Sequence, residues 1–241
     1  MNAMKVECPL VSEAPPQLIE RTIAGLHEDI VRKLPDLDRS VRILDIGCGT
    51  GAWLQRLSSI GYYNLCGIDQ DVSQFQAVGP TCFQADMDYD DLGLEGRKFD
   101  LITAIEVIEH LENPGRLFYH VARRLDAQGW FLLTTPNIHS VNCRLRYLIT
   151  GKLKSFDEKG DPTHIYPVLL TALNRVLPRY GLRVERQWGY PENGSLVSRP
   201  ITRLASALFE RFLPQEAYGD TLCLLINRVS EPNANIQALE T

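Results

Sequence analysis

The 241-residue sequence lacks any apolar run approaching the roughly 18 residues that a membrane-spanning helix requires. It also lacks an excess of basic side chains, since 25 Lys and Arg against 30 Asp and Glu leave a net charge of −5. That charge repels polyanions, so we expect no nucleic-acid partner. The first residues have neither the cationic nor the apolar region of a secretion signal. These absences predict a soluble, cytoplasmic protein.

None of the six cysteines forms a C-x-x-C pair, which argues against a paired-cysteine metal site and predicts reduced thiols. With 44% hydrophobic residues, the chain is long enough for one sizeable core. We therefore expect one main domain over residues 41–230, preceded by a segment with a helix (1–40) and followed by a polar tail (231–241). Apolar residues from Ile19 to Leu34 at helical spacing predict that first helix.

Beyond this helix, strand and helix patterns alternate. Strands are predicted at residues 41–46, 64–68, 81–84, 99–105, 130–135, 182–188 and 221–227. Helices are predicted at residues 52–59, 114–125 and 168–180, and Asn113 and Pro114 mark the start of the second of these. The alternation predicts an α/β fold: a Rossmann-like three-layer sandwich around a mainly parallel sheet, with a ligand crevice at the carboxyl ends of the strands.

The stretch "VRILDIGCGTGAWL" places three glycines, Gly47, Gly49 and Gly51, directly after the first strand. Bare backbone at this turn allows positive φ and lets a ligand approach the main chain. The spacing also satisfies the pattern of dinucleotide-binding turns, so the glycines alone leave the cofactor open. Asp45 stands two residues before the first glycine, where its carboxylate attracts a cation and repels a pyrophosphate. The pattern therefore favours a positively charged ligand.

Two further acids follow the second and third strands. Asp69, in "GIDQD", occupies the position from which a carboxylate accepts hydrogen bonds from ribose hydroxyls. Asp86, in "QADMD", could accept from the exocyclic amine of an adenine. The structural alternatives are that Asp69 or Asp71 caps the next helix, and that Asp86 belongs to a solvated acidic loop.

Together with "FDLITAIEVIEHLENP", these motifs resemble class I S-adenosylmethionine-dependent methyltransferases, especially the quinone-biosynthesis O-methyltransferase and MetW-like group. The resemblance covers residues 41–136 and implies a seven-stranded sheet with an antiparallel last strand. It also implies S-adenosylmethionine as cofactor. The cofactor-binding residues it implies are Asp45, Gly47, Cys48, Gly49, Gly51, Asp69, Gln70, Asp86, Met87, Ile105 and Glu106.

Methyl transfer from a sulfonium depends mainly on alignment, and a base assists when the acceptor is a hydroxyl. The sequence offers three histidines near the crevice as bases: His110, His164 and His139. A structural role in anchoring or capping a loop is the alternative for His110 and His164. Some relatives hold a divalent metal with a similar E-x-x-E-H cluster, which here comprises Glu106, Glu109 and His110. Oxygen ligands with one imidazole would suit Mg²⁺ or Mn²⁺.

Residues 137–167 are too many for a simple connection, and we expect an acceptor-binding lid there. Within it, residues 143–155 mix basic and apolar side chains. This pattern fits either an ordinary surface helix or a segment that contacts a membrane surface or a lipid-linked acceptor.

The leading functional hypothesis is O-methylation of a small phenol or sugar. N- or C-methylation, an NAD-dependent oxidoreductase, and a non-catalytic cofactor-binding regulatory subunit of the MetW-like type are the alternatives.

Overall fold

The computed structural model describes residues 18–192 and 214–229, so the predicted polar tail lies outside the described residues. The α-helices are α1 (Leu26–Lys33), α2 (Ala52–Ser59), α3 (Pro114–Arg124), α4 (Val141–Thr150) and α5 (Leu170–Val176). The strands are β1 (Arg42–Ile46), β2 (Asn64–Asp69), β3 (Thr81–Gln84), β4 (Phe99–Ile105), β5 (Leu125–Pro136), β6 (Leu182–Tyr190) and β7 (Thr221–Arg228). Short 3₁₀ turns occur at Val72–Gln74, Ile108–His110, Leu177–Tyr180 and Gln215–Ala217.

All seven strands form one sheet in the order β3-β2-β1-β4-β5-β7-β6. Parallel pairing joins β3, β2, β1, β4 and β5, whereas β7 runs antiparallel to both β5 and β6. The predicted α/β class, the seven strands and the antiparallel last strand are therefore confirmed. The order reverses between β1 and β4, and the carboxyl ends of these two neighbours border the expected crevice.

Side chains that alternate along the strands build a core on each face of the sheet. On one face, Leu117 and Val121 of α3 pack with Leu173 of α5 against strand residues such as Leu44 and Ile102. On the other face, helices α1 and α2 cover a second cluster. Its members include Leu26, Ile30, Trp53, Leu54, Leu57, Ile43 and Leu101. Buried side chains on both faces make the three-layer sandwich that the sequence predicted.

The first helix is shorter than its apolar spacing indicated. α1 begins at Leu26 because Gly25 precedes it with a φ of 82°, a left-handed conformation that does not continue a right-handed helix. The predicted helix over 168–180 is also divided, into α5 and a 3₁₀ turn that contains Pro178. Among the described residues, no helix is both long and apolar enough to cross a membrane.

Candidate active site

The glycine turn is held against the neighbouring strand β2. The carbonyl oxygen of Ile68 accepts hydrogen bonds from the backbone N–H groups of Gly47 at 2.8 Å and Cys48 at 3.0 Å. The backbone N–H of Gly49 donates to Oδ2 of Asp69 at 2.7 Å. The end of β2 therefore fixes the conformation of the turn, and the turn in part orients the Asp69 carboxylate.

The glycines serve different purposes in this turn. Gly47 has a φ of 72°, and a Cβ there would lie 2.5 Å from Cγ2 of Val107, so close packing excludes any side chain. Gly49 has a φ of 50°, and a Cβ built on it meets no atom within 4 Å. Gly49 therefore presents its bare backbone to open space, where a ligand can approach it.

Asp45 is buried beside the turn, with 3% of its surface exposed. It faces Thr103 because the two residues pair across the parallel strands β1 and β4, and the Thr103 hydroxyl donates to its Oδ1 at 2.6 Å. Burial raises the pKa of Asp45 to about 7, and the negative charge of Asp69 adds to this, whereas the Thr103 hydrogen bond opposes it. A cation beside this group would favour its ionised form.

Asp69 is partly exposed, and both of its carboxylate oxygens accept backbone hydrogen bonds. Oδ1 accepts from the N–H of Asp71 at 2.9 Å, and Oδ2 accepts from Gly49. The capping role that was an alternative for Asp69 belongs to Asp71, whose side chain accepts from Ser73 N–H at the start of the 3₁₀ turn. Gln70, the next predicted cofactor residue, is exposed at the same strand end.

The third acidic position lies in a turn after β3. Asp86 is partly buried, accepts the backbone N–H of Asp88 at 2.9 Å, and precedes the buried Met87. The Asp88 carboxylate in turn accepts the backbone N–H groups of Glu112 and Asn113, at 3.0 and 2.7 Å. This turn is therefore tied to the start of α3, where Asn113 itself makes no capping hydrogen bond through its side chain.

Glu106 follows β4, directly after Ile105, in an unusual backbone conformation. Its φ of 54° lies in the left-handed region, which costs a non-glycine residue roughly 1 kcal/mol or more. The Thr134 hydroxyl accepts from the Glu106 N–H at 3.0 Å and donates to the Glu106 Oε1 at 2.9 Å. Burial raises the pKa of Glu106 to about 7. Thr134 thus holds the carboxyl group in place at the end of the strand.

Glu109 is fully buried, with 0% of its surface exposed. Among the described residues, neither oxygen of its carboxylate has a hydrogen-bond partner. Burial raises the pKa of Glu109 well above its ordinary value, and the nearby charge of Glu106 raises it further. A buried carboxyl group without partners requires a proton or a cation to compensate it.

His110 and His164 lie together beside Glu109. Their ring centroids are 4.8 Å apart, and ligand atoms of the three residues all lie within 4.8 Å of one another. His164 reaches the cluster because the carbonyl oxygen of Glu109 accepts the backbone N–H groups of Ile165 at 2.8 Å and Tyr166 at 2.9 Å. The sequence hypothesis grouped Glu106 with Glu109 and His110, whereas the structure brings His164 into this group.

Hydrogen bonds indicate the same tautomer for both imidazoles. The Thr163 hydroxyl donates its hydrogen to Asp161 at 2.6 Å, so its contact of 2.8 Å with His110 Nδ1 requires the ring to donate. Nδ1 of His164 lies 3.0 Å from the carbonyl oxygen of Ser155, which can only accept. Each neutral ring therefore keeps the lone pair on Nε2, which can take a proton or bind a metal. Burial and the charge of His164 lower the pKa of His110.

His139 lies in a different environment from these two histidines. Its Nε2 accepts the backbone N–H of Leu170 at 3.2 Å and lies 3.2 Å from the carbonyl oxygen of Val168. The main chain before and at the start of α5 thus engages the ring nitrogen. This geometry favours a role in fixing that segment over the predicted role as a base.

The predicted lid contains α4, which has exposed apolar side chains. Leu148 is 81% exposed, Ile149 79% and Tyr147 55%. The basic side chains of the segment are largely paired within the protein: Arg146 with Asp157, Lys152 with Glu158, and Lys154 with Asp220. The apolar side chains, more than the positive charge, are thus available for contact.

Several residues that orient this site were not predicted from the sequence. Thr103 and Thr134 hold the carboxyl groups of Asp45 and Glu106, and Thr163 orients His110. The role of Thr103 could have been inferred once β1 and β4 were taken as neighbours, because their pairing sets Thr103 beside Asp45 on the same face of the sheet. Thr163 lies 53 residues from His110, and no spacing rule connects them.

Comparisons with known proteins concern the family and the fold of this chain. A family model described as a methyltransferase domain matches residues 18–187. The chain is 29% identical over 110 residues to the mitochondrial ubiquinone biosynthesis O-methyltransferase of Candida albicans, covering 42% of this chain and 34% of that protein. It is 26% identical over 164 residues to the ubiquinone biosynthesis O-methyltransferase of Hydrogenovibrio crunogenus, covering 64% of this chain and 67% of that protein. The chain thus spans only about a third of the length of the first relative.

The fold is also similar to that of a crystal structure. A SAM-dependent methyltransferase from Archaeoglobus fulgidus aligns with a TM-score of 0.60 at 20% identity, covering 84% of this chain and 92% of that chain. At this identity the likeness concerns the fold alone.

The raised pKa of Asp45 predicts a measurable effect on stability. An acid whose pKa is higher in the folded than in the unfolded state destabilises the fold as pH rises from about 4 to about 7. Asp45→Asn keeps an acceptor for Thr103 and has no charge to bury. We expect the ligand-free variant to be more stable than the wild type at pH 8, by at most about 4 kcal/mol, and the difference to shrink towards pH 5. Urea denaturation at both pH values measures this.

Asp100→Asn is the matched control, because the Arg42 side chain lowers the pKa of Asp100. This variant should be less stable than the wild type at pH 8, the opposite sign. An Asp45→Asn protein that is destabilised equally at both pH values would contradict the assignment of a buried, readily protonated carboxyl group.

Proposed function

This chain belongs to the methyltransferase-domain family, and from that premise we propose that it transfers the methyl group of S-adenosylmethionine to a small hydroxylated acceptor. The observation that supports this proposal best is the open backbone at Gly49, flanked by the carboxyl groups of Asp45 and Asp69. The family match favours this reaction over the dinucleotide-dependent alternative.

The chemistry of the turn fits this cofactor. When bound, S-adenosylmethionine supplies a methyl group on a positively charged sulfur. Asp45 would attract the amino group of its methionine part, and the cation would keep Asp45 ionised despite its burial. Asp69 retains lone pairs for ribose hydroxyls in addition to its two backbone hydrogen bonds. Gly47, Gly49 and Gly51 would line the methionine part, Asp86 and Met87 the adenine, and Ile105 and Glu106 the sulfur side.

His110 and His164 are the proposed bases for the acceptor hydroxyl. Hydrogen bonds from Nδ1 to Thr163 and to the carbonyl oxygen of Ser155 would leave the lone pair of each neutral ring on Nε2. The lowered pKa of His110 keeps that ring neutral at physiological pH. A base of this kind would remove the hydroxyl proton as the methyl group is transferred.

The same cluster would fit a divalent cation. Glu109 has two buried oxygens without partners among the described residues, and two imidazole nitrogens face the same space. Glu109, His110 and His164 would hold the ion, with Glu106 close enough to contribute charge, and the two rings would then be ligands instead of bases. A bound cation would lower the pKa of a hydroxyl that it coordinates. Mn²⁺ suits this mixture of carboxylate and imidazole better than Mg²⁺, which prefers oxygen ligands.

An acceptor with an apolar part would fit the segment over the crevice. Leu148 and Ile149 of α4 are almost fully exposed, and Ile165 and Tyr166, next to His164, are 53% and 40% exposed. Large exposed apolar side chains of this kind are typical of binding surfaces. A lipid-linked acceptor or a membrane surface would cover them.

Equilibrium dialysis with labelled S-adenosylmethionine tests the cofactor assignment. Gly49→Ala places a methyl group where the ligand would lie, and we expect binding at least about tenfold weaker, because the steric overlap removes backbone contacts. Gly93→Ala is the matched control: it has a φ of 61°, and a Cβ there meets no atom within 4 Å, but it lies outside the turn. Release of the demethylated cofactor with phenol and sugar acceptors then tests turnover.

Retention of NAD instead of S-adenosylmethionine, or equal binding by both alanine variants and the wild type, would refute the assignment. Tight cofactor binding without turnover on any acceptor would instead indicate the non-catalytic regulatory subunit.

Calorimetric titration of Mn²⁺ and Mg²⁺ into the cofactor-loaded protein tests the metal. We expect His164→Ala to weaken Mn²⁺ binding by at least about tenfold because it removes a ligand. His139→Ala, a half-buried imidazole outside the cluster, is the matched control and should leave binding unchanged. The absence of heat with either ion, together with turnover that a chelator does not affect, would rule out a metal.

Sedimentation with phospholipid vesicles tests the apolar surface. We expect Leu148→Glu/Ile149→Glu to reduce sedimentation with neutral and anionic vesicles alike, since it introduces charge where apolar contact is needed. Arg144→Ala/Lys152→Ala should have a small effect, because Lys152 is already paired with Glu158. A wild-type protein that does not sediment at all would exclude the membrane contact.

A further inference from the structure

A pocket separate from the candidate active site lies at the opposite end of the strands from the glycine turn. It is formed where β4 and β5 begin and where the antiparallel β7 ends, beside the carboxyl end of α3, and it has a volume of about 400 Å³. Ten residues line it, and its cations are Arg97, Lys98, Arg123, Arg124, Arg179 and Arg228. The length of β4 separates this pocket from the proposed active site by roughly 20 Å.

The lining is strongly basic. Six of its ten residues are Lys or Arg and none is Asp or Glu, although the whole chain has a net charge of −5. Positive charge is therefore concentrated in this pocket, although the chain as a whole is negatively charged. Such a concentration in a concave site attracts anions.

Arg124 is the most deeply buried cation of the lining. It is only 5% exposed, and its single ion pair among the described residues is a contact of 3.4 Å between Nη2 and Oδ1 of Asp91. Within the same described residues, its buried Nε has no hydrogen-bond partner. A buried guanidinium whose donors are not all satisfied adds incompletely compensated positive charge beside the pocket, and this charge favours a bound anion.

Lys98 and Arg228, two other cations of the pocket, also have structural roles. Lys98 Nζ donates to the carbonyl oxygen of Arg123 at 2.6 Å, and Arg228 Nε donates to that of Leu125 at 3.2 Å, which satisfies the end of α3. The carboxylate of Asp126 acts to raise the pKa of both groups, so part of their charge is compensated. Burial lowers the pKa of Lys98, and the positive charges of Arg228 and Arg124 lower it further.

Aromatic rings and further arginines complete the pocket. Arg123 lies over the ring of Tyr119, 5.4 Å from its centroid, and its Nη1 donates to the Tyr119 hydroxyl at 3.0 Å. Arg97 and Arg179 are exposed in the lining. Guanidinium groups match the geometry of phosphate oxygens and can donate two hydrogen bonds to one phosphate.

We propose that this pocket binds a soluble small molecule bearing phosphate groups, at a site separate from the catalytic crevice. A concave site lined by arginines from several elements suits a compact polyanion better than a flat lipid surface. The exposed apolar side chains that a membrane would require lie on α4, not among the lining residues.

Calorimetric titration with inorganic tripolyphosphate tests the proposal, because this probe has no nucleoside that could enter the cofactor site. The experiment uses the full chain and does not depend on methyl transfer. We expect Arg97→Ala/Arg179→Ala to bind tripolyphosphate at least about tenfold more weakly than the wild type, and binding to weaken as salt increases. Arg144→Ala/Lys159→Ala removes two exposed cations elsewhere and should bind as the wild type does.

No binding of tripolyphosphate by the wild type, or equal binding by the Arg97→Ala/Arg179→Ala variant, would overturn the proposal. Thermal melting of both variants separates loss of binding from loss of folding. Vesicles of phosphatidylglycerol distinguish the source of the phosphate. Sedimentation that requires Arg97 and Arg179, without binding of tripolyphosphate, would overturn the soluble ligand in favour of a lipid headgroup.

Discussion

The buried carboxyl group of Asp45 beside the glycine turn is the constraint on which the candidate site depends. Its position follows from the parallel register of β1 and β4, which sets it opposite Thr103. One neutral hydrogen bond does not compensate a buried charge, as its pKa of about 7 indicates. The ligand-free protein therefore holds Asp45 near the boundary between its two protonation states, and a cationic ligand would shift it to the charged one. Affinity and protonation are coupled at this residue.

The second carboxylate cluster follows the same physical logic at the end of β4. Glu106 adopts a left-handed backbone conformation, and the Thr134 hydroxyl accepts from its N–H and donates to its carboxyl group. Glu109 is buried three residues later without a partner among the described residues. Backbone strain together with uncompensated burial is costly to stability and is found mostly where function requires it. Both features therefore mark the carboxyl end of β4 as the candidate functional region.

Local patterns in the sequence predicted the strands and the glycine turn because these depend on neighbouring residues. Short strand-like runs predicted all seven strands, and the antiparallel last strand was implied by the family resemblance. Two features lay beyond local patterns. Gly25 shortened α1 against its apolar spacing, and His164 reached His110 only through backbone hydrogen bonds to Glu109, which lies 55 residues before it in the chain. The basic pocket could not be predicted from local patterns either, because its residues are distributed between positions 96 and 228. Contacts across such separations arise from topology, which single-sequence spacing does not encode.

The candidate site and the basic pocket lie at opposite ends of the strands, and this distance limits the electrostatic coupling between them. The carboxyl groups of the candidate site lie at or after the carboxyl ends of the strands (Asp45, Asp69, Asp86, Glu106 and Glu109), and the basic pocket lies at the amino end of β4. The two groups of charges are roughly 20 Å apart, and the screening length at physiological ionic strength is about 8 Å, so neither group strongly affects a ligand at the other site through solvent.

Any influence of the pocket on the crevice must therefore pass through the elements that join them. β4 is the direct connection, because Lys98 precedes its first residue and Glu106 follows its last. A shift of this strand along its axis would alter the strained Glu106 conformation, and the rigid β1 and β5 pairing on both sides of β4 opposes such a shift. Coupling between the two sites would accordingly be weak unless a ligand in the pocket moved the α3 end that contacts Lys98.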